Sequence, residues 1–224
     1  MITASDILGM NARQLFYSSQ NSNKASSFAK SKHATKILLE TNAIPTAQVY
    51  GVLLSFEDVQ EFDWQQLETN FVIKPTNGNA GKGIVAFRKQ HKDREHWTTT
   101  TGKVWSLEDI MLHCYDILEG QYSTYGSQHH VIVEERIPIH PALRKFAVKG
   151  TPDIRIIVFN SVPIMSFLRL PTEESEGRAN LHQGAIAAGV DIATGITTHA
   201  ITGKGERIYH LPNTKRKLNG IKIP

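Results

Sequence analysis

Three glycines in six residues, Gly78, Gly81 and Gly83, sit between two apolar runs, with Lys74 just before them and Lys82 among them. Glycine lets the backbone approach a ligand closely and take positive φ without a steric penalty. The N–H groups of such a loop can converge on an anion. Two familiar phosphate loops are excluded. A Walker A loop needs Gly-Lys-Ser/Thr with a helix behind it, whereas Gly81-Lys82 is followed by Gly83 and the run Ile84 to Phe87. A dinucleotide-binding loop also opens a helix. What remains is a hairpin-type flap over phosphates. The glycines alone suit an ordinary hairpin turn equally well; Lys74, at the end of a buried strand, decides for phosphate.

Further candidates lie downstream. Glu134-Glu135-Arg136-Ile137 closes the apolar run Val131 to Val133. Such a charged segment is ordinarily a strand's exit to solvent, but it also offers backbone C=O and N–H to the edge of a purine. Asp153-Ile154-Arg155 and Arg169 put cations on a second sheet. A two-residue turn at Asn160-Ser161 would set Arg155 opposite Ser166, with Arg169 on the other face; only a bulge would bring both arginines to one face. Arg178-Ala179-Asn180-Leu181-His182-Gln183-Gly184 gathers hydrogen-bonding side chains in one loop. His182 alone would read as a structural histidine; beside Asn180 and Gln183 it reads as a ligand contact. No activated-serine motif supports a catalytic triad. Cys114, among Met111, Leu112, Tyr115, Ile117 and Leu118, reads as a buried helix thiol. His129 and His130 precede a strand, where neighbours point to opposite faces, so they make a poor metal chelate.

The elements that must position these residues follow from periodicity. Residues 1 to 30 are polar and read as a short helical lead and a loop. From Ser31 the pattern is helical, with Ile37 and Leu38 as apolar positions, Lys32 and Lys36 one turn apart on one face, and Ala43-Ile44-Pro45 as the stop. Val49 to Leu54 and Phe71 to Ile73 read as strands, the second forming a hairpin with Ile84 to Phe87 across the glycine loop. Leu107 to Leu118 reads as a helix behind Ser106 as N-cap, and Val131 to Val133 as a buried strand. Two more hairpins turn at Asn160-Ser161 and Thr194-Gly195. Helix and strand alternate in the first half and strand dominates the second, so the class is α+β with antiparallel sheets.

Composition bounds the rest. A chain of 224 residues can bury a real core. The balance of 25 Lys+Arg against 21 Asp+Glu suits an anionic ligand but is too diffuse for nucleic acid. The run Lys215, Arg216, Lys217 reads as a solvated loop. One cysteine excludes a disulfide framework and a multi-cysteine metal site. No run is long and apolar enough to span a bilayer, and no basic-then-apolar leader opens the chain, so a cytoplasmic setting is the expectation.

In this order the pieces resemble the ATP-grasp superfamily, nearest to its α-L-glutamate ligase-related branch. The resemblance runs from Leu8-Gly9-Met10-Asn11-Ala12-Arg13 to Gly220-Ile221-Lys222-Ile223-Pro224. Its most specific parts are Phe71-Val72-Ile73-Lys74-Pro75 with the glycine loop, and the segment Arg178 to Gly184. It implies an ATP-grasp fold with a glycine-rich flap and an ATP-dependent carboxylate–amine ligase working through an acyl-phosphate. It implies further that Lys32 and Lys74 contact ATP, and that Gly78, Gly81, Lys82 and Gly83 form the phosphate flap. Glu134, Glu135, Arg136 and Ile137 become the adenine hinge. Arg155, Arg169 and Asn180 face the phosphates or the acyl acceptor, with His182 beside them. Ser31 stands where the family's first-lysine helix usually has Asp.

One departure concerns Mg²⁺, which the superfamily holds with an Asp and a Glu-x-Asn late in the fold. After Gly184 only Asp191 and Glu206 are acidic, and neither sits in such a pattern. The resemblance therefore implies an incomplete C-terminal subdomain with no metal ligands assigned. The expected division is a lead over 1–30, a nucleotide-binding subdomain over 31–138 and a partial C-terminal subdomain over 139–224. Expected ligands are ATP, Mg²⁺, a carboxylate and an amine, with neither nucleic acid nor a membrane span, and with self-association through an exposed sheet edge. Two rival readings are a non-catalytic nucleotide-binding remnant or split-enzyme fragment, and an interaction protein with an empty cleft.

Overall fold

The computed structural model describes residues 9–67, 70–78, 81–122 and 129–224. The helices are α1 (Met10–Ser19), α2 (Asn23–Lys30), α3 (Lys32–Thr41), α4 (Phe56–Glu61), α5 (Leu107–Leu118) and α6 (Pro141–Arg144). Strands β1 (Val49–Leu53), β2 (Phe71–Pro75), β3 (Val85–Gln90), β4 (His96–Thr99), β5 (Val104–Ser106) and β6 (Val131–Glu135) form a sheet in the order β1-β6-β2-β3-β4-β5. Strands β7 (Asp153–Phe159), β8 (Val162–Leu170), β9 (Ile186–Asp191), β10 (Ile196–Thr202) and β11 (Arg207–Ile208) form a second sheet, ordered β11-β10-β9-β8-β7. The pairings β1–β6, β3–β4 and β4–β5, and each pairing of neighbours in the second sheet, are antiparallel. The α+β class with antiparallel sheets is thus the observed one. No helix among the described residues is long and apolar enough to cross a membrane.

Two compact units share the chain. The first draws its described residues from Met1–Trp64, Val72–Val85 and Asp109–Glu135; the second draws them from Gln65–Phe71, Ala86–Glu108 and Arg136–Pro224. In the first, Val59, Ile73, Ile110, Cys114, Ile117 and Val131 to Val133 are fully buried. Burial pushes the Cys114 thiol far up, as for an inert structural cysteine. In the second, Phe71 stacks on Phe87 at 4.5 Å, and Leu168, Leu170, Ile186, Ala188, Ala200, Leu211 and Leu218 make the core under the second sheet.

Three local outcomes differ from the expectation. The polar lead holds two helices, because Ser22 caps a second one by accepting from the Ala25 N–H. Helix α4 rests on a capping box between Ser55 and Asp58, a Ser-x-x-Asp signal that periodicity alone passes over. On α3, Ser31 caps by accepting from the Ala34 N–H, but Ile37 and Leu38 are 51% and 45% exposed, and the buried residue is Lys36 at 8%. The helix turns its cationic stripe inward. An ammonium is buried only where oxygens receive it, so the reason lies on other elements.

Candidate active site

Four stretches of the first unit bring the cationic cluster together. Residues four apart on a helix share a face, so α3 presents Lys32 and Lys36 side by side. Strand β2 alternates: Phe71, Ile73 and Pro75 are buried, while Val72 and Lys74 take the other face. Strand β6 is buried through Glu134, whose exposure is only 7%. That carboxylate receives two ammoniums. Lys36 Nζ lies 3.0 Å from Glu134 Oε2 and also donates to the Ala47 carbonyl at 2.7 Å. Lys74 Nζ donates to Glu134 Oε1.

Lys32 is the third cation. Its backbone N–H donates to Thr76 O at 3.0 Å, and its Nζ is 3.4 Å from Gly78 O at the start of the glycine loop. The Thr76 N–H in turn donates to His130 O at 2.9 Å, which ties the loop's origin to the chain entering β6. Two lysines thus share one carboxylate, with a third cation beside the loop. Burial holds Lys74 below the ordinary lysine range, and Glu134 only partly restores it. Burial, then the charge of Lys74, does the same to Lys32. Desolvated like charges lower one another's affinity for protons, and an anion bound among them would relieve the strain.

The described ends of the glycine loop are anchored. Gly78 and Gly83 have φ of 151° and 72°. A Cβ on Gly78 would lie 2.9 Å from Tyr122 O, and one on Gly83 2.7 Å from the Tyr122 ring. No other residue fits either position without displacing Tyr122. His113, on α5, meets Gly83 O at 3.0 Å through Nε2, so that nitrogen carries the proton. Burial keeps His113 below its ordinary pKa and hence neutral, with the Gly83 bond opposing. Gly81 has open space around it and Lys82 is exposed. Asn79 and Ala80 lie outside the described residues.

In the segment following Glu134, the Glu135 N–H donates to Gln48 O at 2.8 Å, and the Gln48 N–H donates to Glu135 Oε2 at 3.3 Å. The Arg136 N–H donates to Asn70 O at 3.2 Å, and its Nη2 to Asn70 Oδ1 at 3.0 Å. Ile137 is exposed.

The second unit gathers another group. Arg169 grips Asp153 with both arms, Nε to Oδ1 at 2.6 Å and Nη2 to Oδ2 at 2.7 Å. Its Nη1 is 3.4 Å from Asn180 Oδ1, and Asn180 Nδ2 donates to Gln183 Oε1 at 3.1 Å. The turn at Asn160 and Ser161 has positive φ at both residues, as a two-residue hairpin requires. Between Ile157 and Val158 the register shifts, so Arg155 pairs with Phe167, not Ser166, and Asp153 with Arg169. That bulge places Arg155 and Arg169 on one face, the condition under which both can meet one ligand. Arg155 and His182 are exposed, and Arg178 lies 3.7 Å from Glu176. The basic run Lys215 to Lys217 is exposed as expected, though Arg216 Nη1 donates to Lys145 O.

Among the described residues, the carboxylates nearest these two groups are already engaged. Glu134 is held by two lysines and Asp153 by Arg169. Asp191 caps its own turn through Thr194 N and Oγ1 at 2.7 and 2.6 Å, which keeps its carboxyl below the usual range. Among the described residues no three His, Cys, Asp or Glu side chains gather as metal ligands. The described residues therefore hold no such cluster that fits a protein-built magnesium site.

The residue that sequence reasoning left out of the site is Lys36. Its spacing from Lys32 was visible, but its burial against Glu134 depends on β6. No curated protein and no solved structure matches the chain. Residues 11–224 match the model of the family described as sugar-transfer associated ATP-grasp, and the chain belongs to that family.

Proposed function

We propose that the chain binds ATP through the first unit's lysine cluster and serves an ATP-dependent ligation of a carboxylate to an amine. The observation that carries the reading is the excess of cations at the glycine loop, where Lys36 and Lys74 share the Glu134 carboxylate and Lys32 has only the Gly78 carbonyl. The triphosphate takes Lys74 and Lys32 as counter-ions, and the N–H groups of the glycine loop add to them. The Glu135 N–H is committed to Gln48, so the purine edge falls to the Glu135 carbonyl and the backbone of Ile137.

In the reaction, a carboxylate oxygen attacks the γ-phosphorus and ADP leaves. The amine then attacks the acyl carbon and inorganic phosphate leaves. Positioning and cationic stabilisation are the protein's share. Arg155, Arg169, Asn180 and His182 are the acyl-acceptor group in this reading. The family's link to sugar transfer favours a saccharide-borne amine or carboxylate over free glutamate.

A second reading, nucleotide binding without turnover, is favoured by the engagement of Glu134, Asp153 and Asp191 in other bonds. Phosphate release measured beside ATP binding separates the two. Release that depends on a carboxylate and an amine supports the ligase; binding without release supports the second reading; no binding overturns both.

A further inference from the structure

We infer that Lys36 is a positioning residue for nucleotide binding: it keeps the Glu134 carboxylate compensated so that Lys74 can exchange that carboxylate for a phosphate. The inference rests on the nucleotide-binding reading above. Glu134 is 7% exposed and Lys36 8%. Leaving a charge this deep without a partner is strongly unfavourable. Were Lys74 its only ion partner, a phosphate could draw Lys74 away only by stranding Glu134. Lys36 removes that penalty. Its charge lies 3.0 Å from the second carboxylate oxygen as an ion pair without hydrogen-bond geometry, and its own position is fixed by Ala47 O at 2.7 Å. The site therefore contains one lysine that exchanges partners and one that stays.

A double-mutant cycle separates this role from simple attraction of phosphate by another cation. With the full chain and ATP as probe, Lys36→Met should weaken binding on the order of tenfold, since a directly coupled pair changes affinity by several-fold to a hundredfold. The variant loses a cation and leaves Glu134 to clamp Lys74. On a Glu134→Gln background no buried carboxylate needs a partner, and adding Lys36→Met should change affinity by less than about threefold.

If Lys36→Met alone fails to fold by circular dichroism, the comparison of Glu134→Gln with the double variant still decides, because both carry a neutral residue 134. Equal fold losses from Lys36→Met on both backgrounds would overturn the positioning role and make Lys36 an ordinary electrostatic contributor. A large loss between Glu134→Gln and the double variant would do the same. Failure of the parent chain to bind ATP would instead overturn the nucleotide reading, and this role with it.

Discussion

Glu134 Oε2 lies 3.0 Å from Lys36 Nζ while its other oxygen accepts from Lys74, so one buried carboxylate joins helix α3 to strand β2. Removing that carboxylate should harm folding more than truncating either lysine, because each lysine leaves Glu134 one remaining cation. Glu134→Ala would leave Lys36 buried with only the Ala47 carbonyl. Breaking a buried pair by deleting one partner costs about 3–5 kcal/mol. An unfolding free energy from urea titration lowered by that much is expected, and an unchanged value would show the pair to be stabilised from elsewhere.

Lys32 and Lys74 make the cluster sensitive to alkali. Both titrate below the ordinary lysine value of 10.5, chiefly through burial. Between the lowered values and 10.5 the folded chain holds fewer protons than the unfolded chain. Its stability, without ligand, should therefore rise with pH across that window. ATP affinity should move the other way, falling as these lysines lose their protons. Binding on the alkaline side should also take up protons. Titration calorimetry in buffers of different ionisation enthalpy reads that uptake directly; its absence would remove the lysines from the phosphate site.

The anchoring of Gly83 predicts a strict requirement for glycine. Its φ of 72° and its contact with the Tyr122 ring leave no room for a side chain. Gly83→Ala should cost about 1–3 kcal/mol of local strain, the usual penalty for a non-glycine residue forced into this region. It should also weaken ATP binding through the displaced loop. Hydrogen exchange at Gly81 to Gly83 should slow when a nonhydrolysable ATP analogue binds the parent chain. Equal rates with and without the analogue would leave an ordinary hairpin turn.

Arg155 and Arg169 share a face through the shifted register of their hairpin. In the proposed acyl-acceptor role neither touches the triphosphate, so replacing either with Ala should leave ATP affinity within about twofold. In any turnover assay the same change should raise the KM for the carboxylate or amine, or lower kcat. A loss of ATP affinity equal to that of a Lys74 variant would place these arginines on the nucleotide instead.

What was legible in the sequence was local. The glycine loop, strand β2, helix α5 and the turn at Asn160-Ser161 announce themselves within a few residues, because φ preference and periodicity are properties of short segments. The inward turn of α3 was not legible. Ile37 and Leu38 look like its buried face, and only Glu134, far along the chain, explains why Lys36 is buried instead. The bulge that aligns Arg155 with Arg169 was hidden for a related reason, since register belongs to two strands together. The capping box of α4 was readable and overlooked.

Titration of the chain with ATP, followed by calorimetry for the parent and for Lys74→Ala, tests the central claim most directly. Saturable binding by the parent is expected, with a loss of about 1.5–3 kcal/mol in the variant, the range for a hydrogen bond to a charged group. Absence of binding by the parent, or an affinity that Lys74→Ala leaves unchanged, would contradict it.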